Sequence, residues 1–323
     1  MKVFVYIAVL VGLVYGQCDP AANCSPPDCR CFKDNTTPGG LKPDEIPQMV
    51  VMTMDYSLNS EFAELYDQLF TVTNPNDCPT LGTFYLQDMN TDYDVVKAYY
   101  DRGFEIGVSS VDGTIPKDET GWVDLIRSVK TKITGAGING DDVRGYRPPQ
   151  LNFGGTEEFI GIGDNGLVYD AGCVTSEYDT ANTFKWPYTY DFPDGAKCNG
   201  QSAPVDKEFK GKWELIIPDF RFSNDTKCEV PQGCTNVETK TDAFNILYDN
   251  FIAHYEGSRT PYVVIIDAAW MKTDFKREGT VEFMDYVRAG FPDTWVITAW
   301  QSLQWVQNPT PTANISSFAP WSC

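Results

Sequence analysis

One histidine, His254, occurs in 323 residues, so the chain has no pair of imidazoles with which to hold a catalytic metal. Basic residues are also scarce. Lys and Arg number 25 against 45 Asp and Glu, a formal charge of −20 with a pI near 4.3. Such a surface repels phosphate, which excludes nucleic acid as a partner, and no basic patch is available for anionic lipid. The acidity brings no Asp-x-Asp-x-Asp-Gly loop with which to hold calcium tightly. Long apolar runs are missing too. The run Val3–Val14 falls short of the about 20 residues that a bilayer span needs, so no membrane anchor is expected.

What is present points to export. Lys2, the apolar run behind it and the small Gly16 read as a secretory signal over residues 1–16, with a soluble, secreted chain beginning near Gln17. Ten cysteines in an exported chain predict disulfides rather than a thiolate metal site. Cys18, Cys24, Cys29 and Cys31 crowd a leader spanning 17–40, and Cys228 and Cys234 are close enough to form a small loop. Pairings for Cys78, Cys173, Cys198 and Cys323 do not follow from spacing alone. Asn35, Asn224 and Asn314 stand in glycosylation sequons. Residues 41–323 suffice for one large core.

Short apolar runs alternate with longer amphipathic stretches. Strands are predicted at 49–54, 83–86, 105–108, 143–146, 167–170, 214–218, 262–266 and 295–298, and helices at 61–70, 93–102, 121–134, 239–256 and 278–289. This alternation predicts an α/β fold of parallel strands joined by crossovers, a distorted (β/α) barrel. Residues 188–209, rich in Pro, Gly and Asp, read as a long loop over one face. In a barrel the C-terminal strand ends converge on one mouth. Those ends supply Asp55 and Tyr56, Ser109, Arg147 and Asp267, brought together from distant parts of the chain.

The same strand ends carry a family likeness. Cys29-Arg30-Cys31, Pro38-Gly39-Gly40-Leu41, Pro47–Asp55 (PQMVVMTMD), Gly145–Gly155 (GYRPPQLNFGG), Trp186–Asp191 (WPYTYD), Ala268–Trp270 and Trp300–Pro311 resemble, in order and spacing, segments of animal chitin deacetylases. These belong to the polysaccharide deacetylases, carbohydrate esterase family 4, with the NodB-homology fold. The resemblance implies a disulfide-stapled barrel of that type over 41–323.

It also implies which positions held the chemistry. In the family's Thr-Phe-Asp-Asp motif the first Asp is the general base and the second binds zinc; here the motif reads Thr53-Met54-Asp55-Tyr56. The two histidine ligands of the next motif correspond to Ser109 and Gly113, and the acid histidine before Ala-Ala-Trp corresponds to Asp267. Metal ligands and zinc are therefore expected to be absent. Without the metal nothing activates water or polarises the acetamide carbonyl, and without the histidine the leaving amine lacks a proton donor. His254, in a helix where relatives carry a His-Tyr pair, is expected to be structural.

By the same resemblance, Tyr56, Tyr146, Arg147, Trp186, Tyr188, Asp191 and Trp270 are expected to line a substrate groove, the aromatics stacking on sugar rings and Arg147 pairing with Asp191 or Asp55. Cysteine usage departs from the relatives near Cys198, which suggests a rearranged Cys173–Cys198 bridge. The leading expectation is an inactive homologue that binds chitin or another N-acetylglucosamine polymer, with other matrix proteins as further partners. The alternatives are a hydrolase, by residual deacetylation or a metal-free Asp55/Asp267 pair, and an acidic structural matrix glycoprotein.

Overall fold

The computed structural model describes residues 16–177, 184–199, 204–222 and 226–323. The expected signal, apart from Gly16, and the Asn224 sequon lie outside the described residues. The strands are β1 (Gln48–Tyr56), β2 (Thr83–Gln87), β3 (Glu105–Ser110), β4 (Gly145–Tyr146), β5 (Tyr169–Asp170), β6 (Val174–Thr175), β7 (Tyr188–Thr189), β8 (Trp213–Glu214), β9 (Ile217–Pro218), β10 (Phe220–Phe222), β11 (Thr226–Cys228), β12 (Tyr262–Ile266) and β13 (Thr294–Val296). The α-helices are α1 (Ser60–Tyr66), α2 (Tyr93–Asp101), α3 (Glu119–Gly135), α4 (Thr156–Asp164), α5 (Lys240–Tyr255), α6 (Ala268–Lys272), α7 (Asp274–Gly290) and α8 (Ala299–Gln307).

The main sheet runs β12-β1-β2-β3-β4-β5-β8-β7, with β13 also on β1, and curls into an open half-barrel. Its pairs are parallel except β7 on β8. β1 is central because its residues are apolar on both faces, as a strand covered on two sides requires. Val50, Met52 and Met54 face an outer layer built with α2, α3, α5 and α7. Met49 and Val51 face inward, where Leu303, Trp305 and Val306 of α8 fill the concave side with Trp213, Trp295 and Trp321.

Several elements depart from the expectation, among them β7, which opens the segment 188–209 read as a loop and pairs antiparallel with β8. The strand read at 214–218 divides into β8 and β9, which join different sheets, with Leu215 and Ile216 between them. Helix α4 carries Gly161 and Gly163, which weaken its helical signal. Helix α8, absent from the expected helices, starts at a Thr298–Gln301 capping box and buries Ala299, Ser302, Leu303, Trp305 and Val306 inside the half-barrel.

Five disulfides staple the chain: Cys18–Cys31, Cys24–Cys29, Cys78–Cys323, Cys173–Cys198 and Cys228–Cys234. His254 is buried on α5, its Nδ1 2.9 Å from Thr260 Oγ1 and its ring stacked 4.2 Å from Phe184. Burial without a counter-charge lowers its pKa to about 3, so it is neutral and structural.

Candidate functional site

Parallel register places the two acids. Met54 on β1 lies opposite Ile266 on β12, so Asp55 and Asp267 leave neighbouring strands at the same level. Both continue the inward-facing rows, Met49-Val51-Thr53 and Val263-Ile265, on strands about 4.8 Å apart. Their carboxyls therefore meet at one mouth.

Arg147 enters from the end of β4. Its Nη1 donates to Asp55 Oδ1 at 2.6 Å and to Thr53 Oγ1 at 2.8 Å, and its Nε donates to the Ala171 carbonyl at 2.7 Å. The guanidinium lies 4.2 Å over the Tyr85 ring. Of the two partners expected for Arg147, the structure gives Asp55. Asp191 instead accepts from the Gly211 amide at 3.0 Å. Burial pushes the Asp55 pKa up, Arg147 opposes that shift, and repulsion from Asp267 adds to it. Asp267 Oδ1 accepts from the Trp270 amide at 2.7 Å and so caps α6.

Tyr56 closes β1 in an unusual way. Its φ of 78° is left-handed, a conformation costing a non-glycine residue about 1–3 kcal/mol. The residue is 44% exposed. Partial burial, together with the charges of Asp55 and Asp267, raises its pKa and keeps the phenol protonated.

Zinc can be tested against this donor set. The positions that the resemblance assigns to ligands offer the protonated Tyr56, the buried neutral hydroxyl of Ser109 at the end of β3, and Gly113, which has no side chain. Gly113 adopts φ 86° and its carbonyl accepts from Gln150 Nε2. The donors do not fit zinc. Among the described residues, the one group of His, Cys, Asp and Glu with ligand spacing is Cys18, Cys24 and Cys31, all held in disulfides.

Four expected stacking residues are core. Tyr146, Trp186, Tyr188 and Trp270 are at most 5% exposed. Tyr146 packs edge-on to Trp122, Trp186 stacks on Trp305, the Tyr188 hydroxyl meets that of Tyr190, and Trp270 Nε1 donates to Thr280. Contrary to the expectation for these four, their rings are packed in the core rather than lining an open groove. Aromatic spacing does not separate a ring facing a mouth from one packed beneath it. Tyr85 and Thr53, which hold Arg147, carry no motif that assigns them this role. Their inward direction on β1 and β2 was the available signal.

No family model matches the chain. Chitin deacetylase 8 of Bombyx mori is 30% identical over 309 residues, covering 91% of this chain and 79% of the relative. The chain belongs to the chitin deacetylase-like polysaccharide deacetylases of carbohydrate esterase family 4. Chitin deacetylase 1 of Bombyx mori is 29% identical over 326 aligned positions, covering 94% of this chain; this chitin deacetylase-like protein spans 59% of that relative's length. A crystal structure assigned as a polysaccharide deacetylase from Mycobacterium smegmatis superposes with a TM-score of 0.53 at 15% identity, covering 88% of this chain and 95% of that one. That likeness supports the NodB-type fold.

Proposed function

We propose that this protein is a secreted, catalytically inactive chitin deacetylase homologue that binds chitin or a related N-acetylglucosamine polymer in an extracellular matrix. One observation carries the reading: Tyr56, held in a strained conformation, presents an exposed ring beside two inward-facing carboxylates at the position where the family places a metal-binding acid. A ring there can stack on a sugar face, while Asp55 and Asp267 accept hydrogen bonds from hydroxyl or acetamido N–H groups. Asp267 occupies the acid-histidine position but serves as a helix cap, so it is not arranged to protonate a leaving amine. The disulfides support an oxidising, extracellular setting, and no described helix is long and apolar enough to cross a membrane.

The test is retention of the purified full chain on chitin beads, with and without chelator. Retention that chelator leaves unchanged and Tyr56→Ala abolishes supports the proposal. No retention on chitin or its oligomers defeats it in favour of an unused mouth in a structural glycoprotein. Acetate release would report surviving deacetylation, and cleaved oligomers a metal-free hydrolase.

A further inference from the structure

On the outward face of the sheet, three acids meet without a base among them. Tyr146 pairs with Asp170 across β4 and β5, and Asp170 pairs with Glu214 across β5 and β8, so these side chains form one row. Glu158 reaches the row from α4, and all three acids are fully buried. Backbone amides satisfy only part of them: Gly154 donates to Glu158 Oε2 at 2.5 Å and Gly172 to Asp170 Oδ2 at 2.7 Å. Glu158 Oε1, Asp170 Oδ1 and the Tyr146 hydroxyl have no further hydrogen-bond partner, and Glu214, beside the Cys173 amide, makes no hydrogen bond of good geometry through either oxygen.

Three carboxylates cannot share so dry a space as anions, since each buried charge would need a partner. Asp170 stands between the other two, within hydrogen-bonding reach of both Glu158 and Glu214. The charged or titratable groups facing the cluster are Arg147 beside Asp170, Tyr146 on β4, and the paired hydroxyls of Tyr188 and Tyr190 near Glu214. Arg147 is the one cation among them. Its Nη2 is itself a buried, unused donor. A metal ion does not replace the missing protons: only Cys18, Cys24 and Cys31, among the described residues, bring three ligand atoms within 4.8 Å of one another.

We propose that Glu158, Asp170 and Glu214 form a proton-sharing cluster in which both glutamic acids stay protonated at neutral pH and donate to an ionised Asp170 beneath Arg147, so that the fold is strongest in mildly acidic surroundings. Each O–H supplies a donor that the cluster otherwise lacks, and the one remaining negative charge feels the Arg147 guanidinium, which is itself paired with Asp55. Burial raises both glutamic acids well above the carboxylate range and Asp170 to about 6, with the neighbouring acids holding Asp170 lower than the other two. The folded state then binds more protons than the unfolded chain above about pH 4.5, and stability falls as the pH rises through the folded pKa values.

The inference is independent of glycan binding. It is tested by thermal unfolding of the full chain between about pH 5 and pH 9 for the wild type, Glu158→Gln, Glu214→Gln and the double variant. Glutamine mimics the protonated acid, because its amide donates to Asp170 at any pH. The expected result is a midpoint that falls toward alkaline pH in the wild type and loses more than half of that fall in the double variant. An unaltered pH dependence in a folded double variant overturns the proposal. Should the variants not fold, infrared spectroscopy of the wild type near neutral pH decides: a buried protonated-carboxyl band is expected, and its absence overturns the proposal.

Discussion

Arg147 Nη1 lies 2.6 Å from Asp55 Oδ1, an ion pair whose arginine is 1% and whose aspartate is 15% exposed. Asp55 is thus held by a buried guanidinium in a mouth whose donors do not fit zinc. The pair has a structural role that does not depend on catalysis, because neither member can be left buried alone.

Arg147→Met therefore should cost about 3–5 kcal/mol, since it strands Asp55 in a dry site. Urea unfolding would show the midpoint shift. A double variant, Asp55→Leu with Arg147→Met, should recover most of the loss, because it removes both charges together. A single variant as stable as the wild type would show that water reaches Asp55 freely.

Tyr56 separates stability from binding. Tyr56→Gly relieves a left-handed backbone that costs an L-residue about 1–2 kcal/mol, offset in part by the freedom glycine regains when unfolded. Stability should be unchanged or higher by up to about 1 kcal/mol while retention on chitin is lost. Loss of both would mean that the ring packs as core.

His254 contributes a pH dependence opposite in sign to that of the acid cluster. Its folded pKa near 3 lies below the ordinary value of 6.5, so the unfolded chain takes up a proton that the folded chain refuses. The resulting stability is present above about pH 6.5 and is lost as pH falls toward 3, at up to about 1.4 kcal/mol per pH unit. His254→Gln, which can still reach Thr260, should gain stability relative to the wild type as the pH is lowered from 6 to 4, a difference followed by circular dichroism. An unchanged acid limb would place the titrating group elsewhere.

Much of the mouth was legible because it hangs on a few strongly apolar runs. β1, β3 and β12 are recognisable as buried strands, and residues at or just beyond their ends, Asp55, Ser109 and Asp267, needed only barrel geometry to converge. Arg147 followed the same logic, although β4 is only two residues long. The aromatic groove was not legible. Tyr146, Trp186, Tyr188 and Trp270 carry the composition of a sugar site, but depth within the fold is decided by which layer covers them. The acid row was equally hidden: Glu158, Asp170 and Glu214 are brought together by two-residue strands and a glycine-containing helix that leave weak sequence signals.

Tyr56, Ser109 and Gly113 do not offer the donors of the metal site on which the family's chemistry depends. Elemental analysis of the purified chain, run beside acetate release from chito-oligomers, tests this most directly. Zinc far below one equivalent and no acetate are expected, with added zinc changing neither. One zinc per chain together with chelator-sensitive acetate release would contradict it.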